Sequence, residues 1–300
     1  MKLKEIGAML ILAALWGASF LFIKIAAPEI GPLFTIQGRV TIAGIVLILL
    51  LLITRRSANF RKRWKQYLIL GALNAAIPFT LIATAELQLN ASMSGIINAL
   101  TPLFTALVAW RYLQEKLTIK KGFGILTGIV GVGILVGWSP LPLTKDVLIS
   151  VCCSVLSTIS YGFGGVYTKK AFSGVAPLSL ATGQQIGAAI TLLPFTIFSL
   201  PQTNASFSLT VVFSVAGLAI FCTAIAYLFY FYLIDSVGPT KTQSVTLLIP
   251  FFSMVWGVIF LKETITVGMC IGLFVILCSV LFISETPLGF KKKKEMSSAR

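Results

Sequence analysis

The sequence predicts an all-α polytopic membrane protein whose ten transmembrane helices form two inverted five-helix repeats. Three observations lead to this fold class. Of the 300 residues, 57% are apolar and only 11% are charged, a balance that soluble folds do not show. Apolar windows of about 20 residues, the length that crosses a bilayer, recur along the whole chain with short connections. The two halves of the chain also match each other, and each half holds an odd number of windows.

The apolar windows define the candidate helices, with boundaries good to a few residues. The first window is too long for a signal-peptide core and has no small-residue cleavage site, so we retain it as a helix. Residues 1–140 hold the first repeat, residues 141–288 hold the second, and residues 289–300 form a basic cytoplasmic tail. In chain order the windows are 6–27, 33–54, 67–88, 91–112, 119–138, 147–168, 178–200, 209–234, 240–261 and 264–284.

The distribution of charge predicts the orientation in the membrane. The chain carries 24 Lys and Arg against 9 Asp and Glu, a formal net charge of +15. In a soluble protein this excess would suggest nucleic acid, but here the basic residues lie in short runs between apolar windows. With a cytoplasmic N-terminus, 20 of the 24 fall on the cytoplasmic side, as the positive-inside rule requires. We therefore expect an integral protein of the cytoplasmic membrane with both termini inside and no nucleic-acid partner.

The residue types exclude several classes of function. The chain has no histidine, and its five cysteines lie in apolar windows without the spacing of metal ligands or disulfides. We therefore predict no metal site and no cofactor. Carboxylates fall mostly at the ends of windows, so no acid–base cluster of the kind that catalysis needs is visible. A membrane-embedded transferase is accordingly a weaker alternative to a carrier.

The internal match depends on rare residue types that fall in register. A shift of 145 residues aligns Trp16-Gly17 with Tyr161-Gly162, Lys24 with Lys169, Pro32 with Pro177 and Arg39 with Gln184. A shift of 148 residues aligns Pro102 with Pro250 and Glu115 with Glu263. Because each half has five windows, the second half must enter the membrane from the opposite side. Two inverted units of this kind can open a shared cavity to either side in turn.

These blocks carry a family resemblance. The paired W/Y-G-x6-K-x7-P blocks, and the Pro-x12-Glu blocks that close the fourth and ninth windows, resemble EamA-type members of the drug/metabolite transporter superfamily. The resemblance covers essentially the whole chain and is specific for the fold but weak for the substrate. It implies a ten-helix, two-repeat carrier of small metabolites, often an exporter of amino acids or related compounds. Some relatives instead move sugars, nucleotide sugars or phosphorylated compounds.

Aromatic and small polar residues within the windows are the candidates for substrate binding. Trp16 and Tyr161 are equivalent in the two repeats and each precedes a glycine, so we expect both rings to face a central cavity; packing against the other repeat is the alternative. For any single polar residue, a structural role between helices stays open. The predicted substrate-binding residues are Trp16, Asn74, Phe79, Asn98, Thr101, Tyr161, Tyr227, Tyr230 and Gln243.

Four further residues are candidates for gating or hinge motion. Pro102 and Pro250 interrupt the backbone hydrogen bonds of the fourth and ninth windows, and a hinge and a fixed kink are equally compatible with this. Arg39 and Glu86 are charges inside windows, where charge is costly. They could pair to close an outer gate, or each could reach the headgroups. Arg39 could also hold a substrate carboxylate, which a guanidinium matches with two hydrogen bonds.

The sequence thus predicts a secondary transporter that moves a small metabolite, an amino acid or related compound, by alternating access, most simply outward. A lipid flippase and a sugar or nucleotide-sugar carrier of the same fold are alternatives. The first helix has no carboxylate after Glu5, so the membrane glutamate that exchanges protons in small multidrug members has no counterpart there. The expected partners are the substrate and the bilayer, and both a monomer and a homodimer stay open.

Overall fold

The computed structural model describes residues 2–55, 60–115, 118–139, 141–199 and 207–283, and over these residues all regular structure is helical. We number the main helices in chain order. They are α1 Leu3–Ile30, α2 Pro32–Ile53, α3 Phe60–Ala85, α4 Ala91–Leu113, α5 Ile119–Gly137, α6 Lys145–Ala171, α7 Pro177–Ser199, α8 Leu209–Val237, α9 Ile249–Leu261 and α10 Val267–Ile283.

Within the described residues, eight of these helices, α1 to α8, are long and apolar enough to cross a membrane. The last two are shorter, with 13 residues in α9 and 17 in α10. The prediction of an all-helical membrane protein is therefore confirmed, while the span count by length is eight, with two shorter apolar helices. The predicted basic tail at 289–300 lies outside the described residues.

The ninth predicted window, 240–261, is not one helix. A short helix, Pro239–Thr242, and a 3-10 segment, Gln243–Leu247, precede α9. Pro250 lies in the first turn of α9, where a missing N–H leaves no intrahelical bond unmade. The same holds in α4, which is regular over Ala91–Asn98 and again from Thr101, with Pro102 in the first turn of the second part. Both prolines thus lie at breaks that begin a new half-helix.

Two other helices contain π-helical segments at corresponding places. In α3 the segment covers Ala72–Ala76, and in α8 it covers Ile220–Ile225. Such segments are rare in proteins overall. Where they occur they often lie at functional sites, because they free backbone groups and redirect side chains. In α3 the freed carbonyl of Leu73 accepts a hydrogen bond from Ser160 of α6 at 2.7 Å. In α8 the Thr223 hydroxyl donates to the Leu218 carbonyl at 3.0 Å.

Glycines allow close approaches between the two halves of the chain. A Cβ atom on Gly17 of α1 would lie 3.0 Å from the carbonyl carbon of Phe252 in α9. A Cβ atom on Gly162 of α6 would lie 3.0 Å from the carbonyl carbon of Phe104 in α4. Both glycines therefore let a helix of one half pack directly on the backbone of the other half. Around this interior, α5 lies along α10 and α2 lies along α7.

The outer surface of the helices is apolar, as a bilayer requires. Large side chains such as Phe198, Phe213 and Phe274 are exposed there. The interior instead holds many buried polar groups, including Arg39, Glu86, Gln184 and Gln185. In a protein surrounded by lipid, this distribution places the polar chemistry between the helices rather than on the surface.

Candidate functional site

An aromatic row joins α1 to α8. The rings of Trp16 and Tyr230 lie 5.6 Å apart between centroids, and those of Tyr230 and Tyr227 lie 6.2 Å apart. Tyr227 and Tyr230 are one turn apart on α8, so both rings project from the same face. The structure thus brings together three of the predicted substrate-binding residues, one from the first half of the chain and two from the second.

A chain of hydrogen bonds continues from this row. The Gln184 side chain of α7 donates to the Tyr227 hydroxyl at 3.0 Å. Its carbonyl oxygen accepts from the Asn74 amide at 2.7 Å. Asn74 lies in the π-helical segment of α3, so a predicted site residue on α3 is linked through Gln184 to one on α8. We did not predict Gln184 as a site residue. Its alignment with Arg39 was the signal that could have identified it.

The Arg39 side chain of α2 forms the charged part of the same region. It is 5% exposed, its Nε donates to the Thr223 hydroxyl at 3.1 Å, and its guanidinium carbon lies 3.7 Å from the centre of the Phe79 ring. A desolvated cation over an aromatic face gains about 2 kcal/mol. The Phe79 ring in turn meets the Tyr161 ring edge-on at 6.2 Å. Thr223 was also missed, because a threonine in an apolar window has no distinctive sequence pattern.

These two groups of residues belong to one region. The Arg39 charge lies within electrostatic range of the side chains of Tyr161 and Tyr227. We call the combined set the central cluster, and it takes its side chains from six helices, α1, α2, α3, α6, α7 and α8. The central cluster consists of Trp16, Arg39, Asn74, Phe79, Tyr161, Gln184, Thr223, Tyr227 and Tyr230.

Arg39 and Glu86 do not form the ion pair that the sequence suggested. Arg39 is directed to Thr223 and Phe79, and Glu86 has no ion-pair partner among the described residues. The reason is that Glu86 lies at the end of α3, whereas Phe79 lies about two turns earlier in the same helix and takes the guanidinium on its ring. A gating role for either residue stays a prediction.

At one end of the bundle, which we call the Glu263 end, a carboxylate from the second half caps a helix of the first half. Glu263 accepts from the backbone amides of Ala91 at 2.7 Å and Ser92 at 3.1 Å, and from the Ser92 hydroxyl at 2.5 Å. The next amide of α4, that of Met93, is bound by the Asn90 side chain at 2.8 Å. The first three amides of α4 are therefore all satisfied, and a negative charge lies at the positive end of the helix dipole.

Lys24 adds a second contact at the Glu263 end. Its ammonium group donates to the backbone carbonyls of Glu86 at 2.6 Å and Leu89 at 2.9 Å. These carbonyls follow the last turn of α3, where backbone acceptors lack helical partners. Lys24 thus ties α1 to the connection between α3 and α4.

The opposite end of the bundle, which we call the Glu115 end, is arranged differently. Glu115 follows the other end of α4, and its carboxylate forms an ion pair with Lys169 at 2.9 Å. Both side chains are solvent-accessible, at 40% and 68% exposed, so the pair contributes little to stability. Glu115 and Lys169 are the sequence equivalents of Glu263 and Lys24. At the Glu263 end the glutamate caps a helix and the lysine binds backbone carbonyls, whereas at the Glu115 end the equivalent glutamate and lysine form an exposed ion pair with each other.

The remaining predicted residues lie outside these contacts. Asn98 and Thr101 flank the break in α4, where the Thr101 hydroxyl donates to the Asn98 carbonyl at 2.8 Å. Over the described residues, no hydrogen bond or ring contact connects them to the central cluster, and the buried Asn98 Oδ1 has no hydrogen-bond partner. Gln243 lies in the 3-10 segment before α9, and its side chain is outside the described part of the chain. The prolines lie at the breaks described above.

The central cluster offers a recognisable set of interactions to a ligand. It combines one buried cation, two amide side chains, phenol hydroxyls and aromatic faces. A guanidinium matches a carboxylate, and aromatic faces attract ammonium groups and apolar side chains. This chemistry suits a small molecule with both polar and apolar parts.

Comparison with known proteins gives the family. The model of the EamA-like transporter family matches residues 3–137 and again residues 148–285. The uncharacterized transporter YvbV of Bacillus subtilis (strain 168) is 27% identical over 278 residues, 91% of this chain and 89% of YvbV. Protein PecM of Dickeya dadantii (strain 3937) is 24% identical over 299 residues, 98% of this chain and 96% of PecM.

Two further comparisons agree. The uncharacterized inner membrane transporter YedA of Escherichia coli (strain K12) is 25% identical over 281 residues, 93% of this chain and 90% of YedA. A protein of known crystal structure matches with a TM-score of 0.66 at 15% identity, covering 94% of this chain and 96% of that one, which supports the fold alone. The family match covers both halves of a chain in which eight of the described helices are long and apolar enough to cross a membrane. The protein is an integral membrane protein and belongs to the EamA-like transporter family.

Proposed function

We propose that this protein is a secondary transporter that exports a small zwitterionic or neutral metabolite, an amino acid or related compound, by alternating access. The observation that carries the proposal is the central cluster, in which Arg39 over the Phe79 ring lies within electrostatic range of Tyr161 and Tyr227. A ligand carboxylate can bind the guanidinium while its remaining groups contact aromatic faces and amides. The transporter names of the relatives agree with a carrier function and say nothing about the substrate.

The inverted-repeat architecture is part of this proposal. In its support, the π-helical segments of α3 and α8 begin 148 residues apart, at Ala72 and Ile220. The close contacts of Gly17 and Gly162 are also equivalent. Gly17 meets Phe252 and Gly162 meets Phe104, and these two phenylalanines are sequence equivalents at the shift of 148 residues. Such paired contacts are expected when two similar units are related by an axis in the membrane plane.

We further propose that the Glu115 end faces the cytoplasm. The basic first turn of α3, which includes Arg61, Lys62 and Arg63, lies at the same end as Lys120 and Lys121 in the first turn of α5. Cytoplasmic connections carry such an excess of Lys and Arg. Under this orientation the Glu263 end is the outer end.

The difference between the two ends supports alternating access. Glu263 joins the halves through three hydrogen bonds to the start of α4, whereas the equivalent Glu115 joins them at the other end only through an exposed ion pair with Lys169. We propose that the opposite conformer reverses this arrangement. Glu115 would then cap the short helix Pro239–Thr242, the sequence equivalent of the start of α4, and Glu263 would turn to Lys24.

The test is transport by the purified protein in liposomes. Labelled amino acids are loaded as a panel on one side, and their movement is compared with that in protein-free liposomes and with that of Arg39→Gln. Movement of a panel member that Arg39→Gln reduces supports the proposal. A correctly folded protein that moves no member of a broad metabolite panel contradicts it. Lys145→Gln, which changes an exposed cation at the start of α6, is the matched control.

A further inference from the structure

Glu86 is a fully buried carboxylate without a partner. It follows the last turn of α3, has 0% exposed surface, and neither of its carboxylate oxygens accepts a hydrogen bond from any described residue. No Lys or Arg side chain of the described residues lies close enough to form a salt bridge with it. Glu86 is not one of the residues of the central cluster.

The charged and polar groups that face Glu86 come from four helices or their ends. Lys24 of α1 directs its ammonium to the backbone carbonyl of Glu86 and not to the carboxylate. Glu263, after α9, already binds the amides at the start of α4, and its negative charge repels a second one. Arg39 of α2 is engaged with Thr223 and Phe79. Ser94 of α4 lies beside the carboxyl group, and its buried hydroxyl also has no partner.

These surroundings favour a neutral carboxyl group. An ionised carboxylate that is removed from water without a pair costs several kcal/mol, while the protonated acid costs much less. A protonated carboxyl group is also a donor, and the Ser94 hydroxyl oxygen next to it is an available acceptor. The Ser94 hydroxyl could also donate to an ionised carboxylate, so it is the full burial without a paired cation, and not Ser94, that favours the protonated form.

We propose that Glu86 is a proton-binding site, occupied while the Glu263 end is closed and emptied when that end opens. Opening would admit water to the carboxylate, and hydration stabilises the ionised form. Acidity on the side of the Glu263 end therefore favours the closed conformer. The coupling to opening rests on the proposed alternating access, whereas the proton site itself does not.

The first experiment detects the proton directly. Infrared spectra of the full-length protein in lipid are recorded across a pH series, and the C=O stretch of a protonated carboxylic acid is followed. Near neutral pH, where exposed carboxyl groups are ionised, the wild-type protein should show such a band, and Glu86→Gln should lose it. Glu29→Gln, which changes an exposed acid in the last turn of α1, should keep it. A band that survives in Glu86→Gln would overturn the proposal.

The second experiment tests the link to opening without a substrate. Hydrogen exchange of the Ala91 and Ser92 amides, which bind Glu263, reports the closed state. As pH rises, wild-type protection should fall after correction for intrinsic rates, while Glu86→Gln should stay protected and Glu29→Gln should follow the wild type. Equal behaviour of the wild type and Glu86→Gln would overturn the coupling. Glu86→Asp, which keeps a titratable acid, should retain a pH-dependent response.

The two proposals fail in distinguishable ways. If the infrared band depends on Glu86 but liposomes show no transport of any metabolite, the proton site stands and the proposed function is wrong. If transport is measured but the band is absent or does not depend on Glu86, the proposed function stands and this inference is wrong.

Discussion

Glu263 and Ser92 lie 171 residues apart in the sequence, yet the Glu263 carboxylate accepts hydrogen bonds from both the amide and the hydroxyl of Ser92. The contact joins the end of α9 to the start of α4. It is possible because Gly257, one turn before the end of α9, has no side chain to occupy the space that the carboxylate and the Ser92 hydroxyl take. One residue from the second half thus ties one end of the bundle to the first half.

Loss of this carboxylate should loosen the Glu263 end. In Glu263→Ala the amides of Ala91 and Ser92 lose their acceptors, and each charged hydrogen bond contributes about 1.5–3 kcal/mol. We expect their hydrogen exchange to accelerate by at least tenfold, the factor that corresponds to about 1.4 kcal/mol. Glu115→Ala breaks an exposed pair at the other end and should leave this exchange unchanged. Unchanged exchange in Glu263→Ala would show that the cap does not hold the end closed.

Arg39 should control substrate affinity through its shape as well as its charge. Arg39→Lys keeps the positive charge but loses the flat guanidinium on Phe79 and the Nε bond to Thr223. If the substrate carries a carboxylate, Arg39→Gln should raise KM by on the order of tenfold or more, and Arg39→Lys by less. Transport kinetics in liposomes measure both. Equal KM values in the wild type and Arg39→Gln would remove Arg39 from the binding site.

The hydrogen-bond chain through Gln184 should be energetically coupled. Gln184→Leu leaves the Asn74 amide without its acceptor, and such a loss costs about 1–3 kcal/mol. Tyr227→Phe removes one acceptor from the same chain. Because both variants break the Gln184–Tyr227 bond, the double variant should be less destabilised than the sum of the two, by about 0.5–3 kcal/mol. Thermal unfolding in detergent measures the cycle. Strict additivity would argue against a connected chain.

Gly17 and Gly162, which lie at contacts between the two halves of the chain, should not tolerate a methyl group. Gly17→Ala and Gly162→Ala each place a Cβ 3.0 Å from backbone atoms of the other half, which is tighter than normal packing. Overpacking of this kind costs about 1–3 kcal/mol, so the unfolding temperature should fall. Gly133→Ala is the matched control, because a Cβ there meets nothing within 4 Å. A similar response of all three variants would mean that helix propensity, and not packing, dominates.

The sequence predicted the helices well where hydropathy and backbone geometry agree. The windows 33–54 and 178–200 correspond to α2 at Pro32–Ile53 and α7 at Pro177–Ser199. In the windows 91–112 and 240–261 it predicted an interruption at Pro102 and Pro250 but not that each proline begins a new half-helix, because hydropathy averages over side chains and does not register which backbone groups are bonded. Pro102 and Pro250 marked these places, but their position in a first turn depends on the folded chain.

The site was predicted only in part for a related reason. Trp16, Tyr227 and Tyr230 stand out as large amphipathic side chains in apolar windows, and the structure brings them together. Gln184 and Thr223 were missed because their roles come from partners on other helices. The sequence shows Glu263 only as a carboxylate at the end of a window, because its partners, Ala91 and Ser92, are far away in the sequence.

By itself, the sequence determined that the chain is an all-helical membrane protein of two similar halves and that it resembles a transporter family. These properties follow from composition, periodic hydropathy and rare residues in register, all of which are local or additive. Only the tertiary structure decided that Arg39 lies over Phe79 and not beside Glu86. It also decided that Glu263 caps α4 at one end of the bundle while Glu115 forms an exposed ion pair at the other. Such choices depend on which helices meet and on which polar groups burial leaves without water.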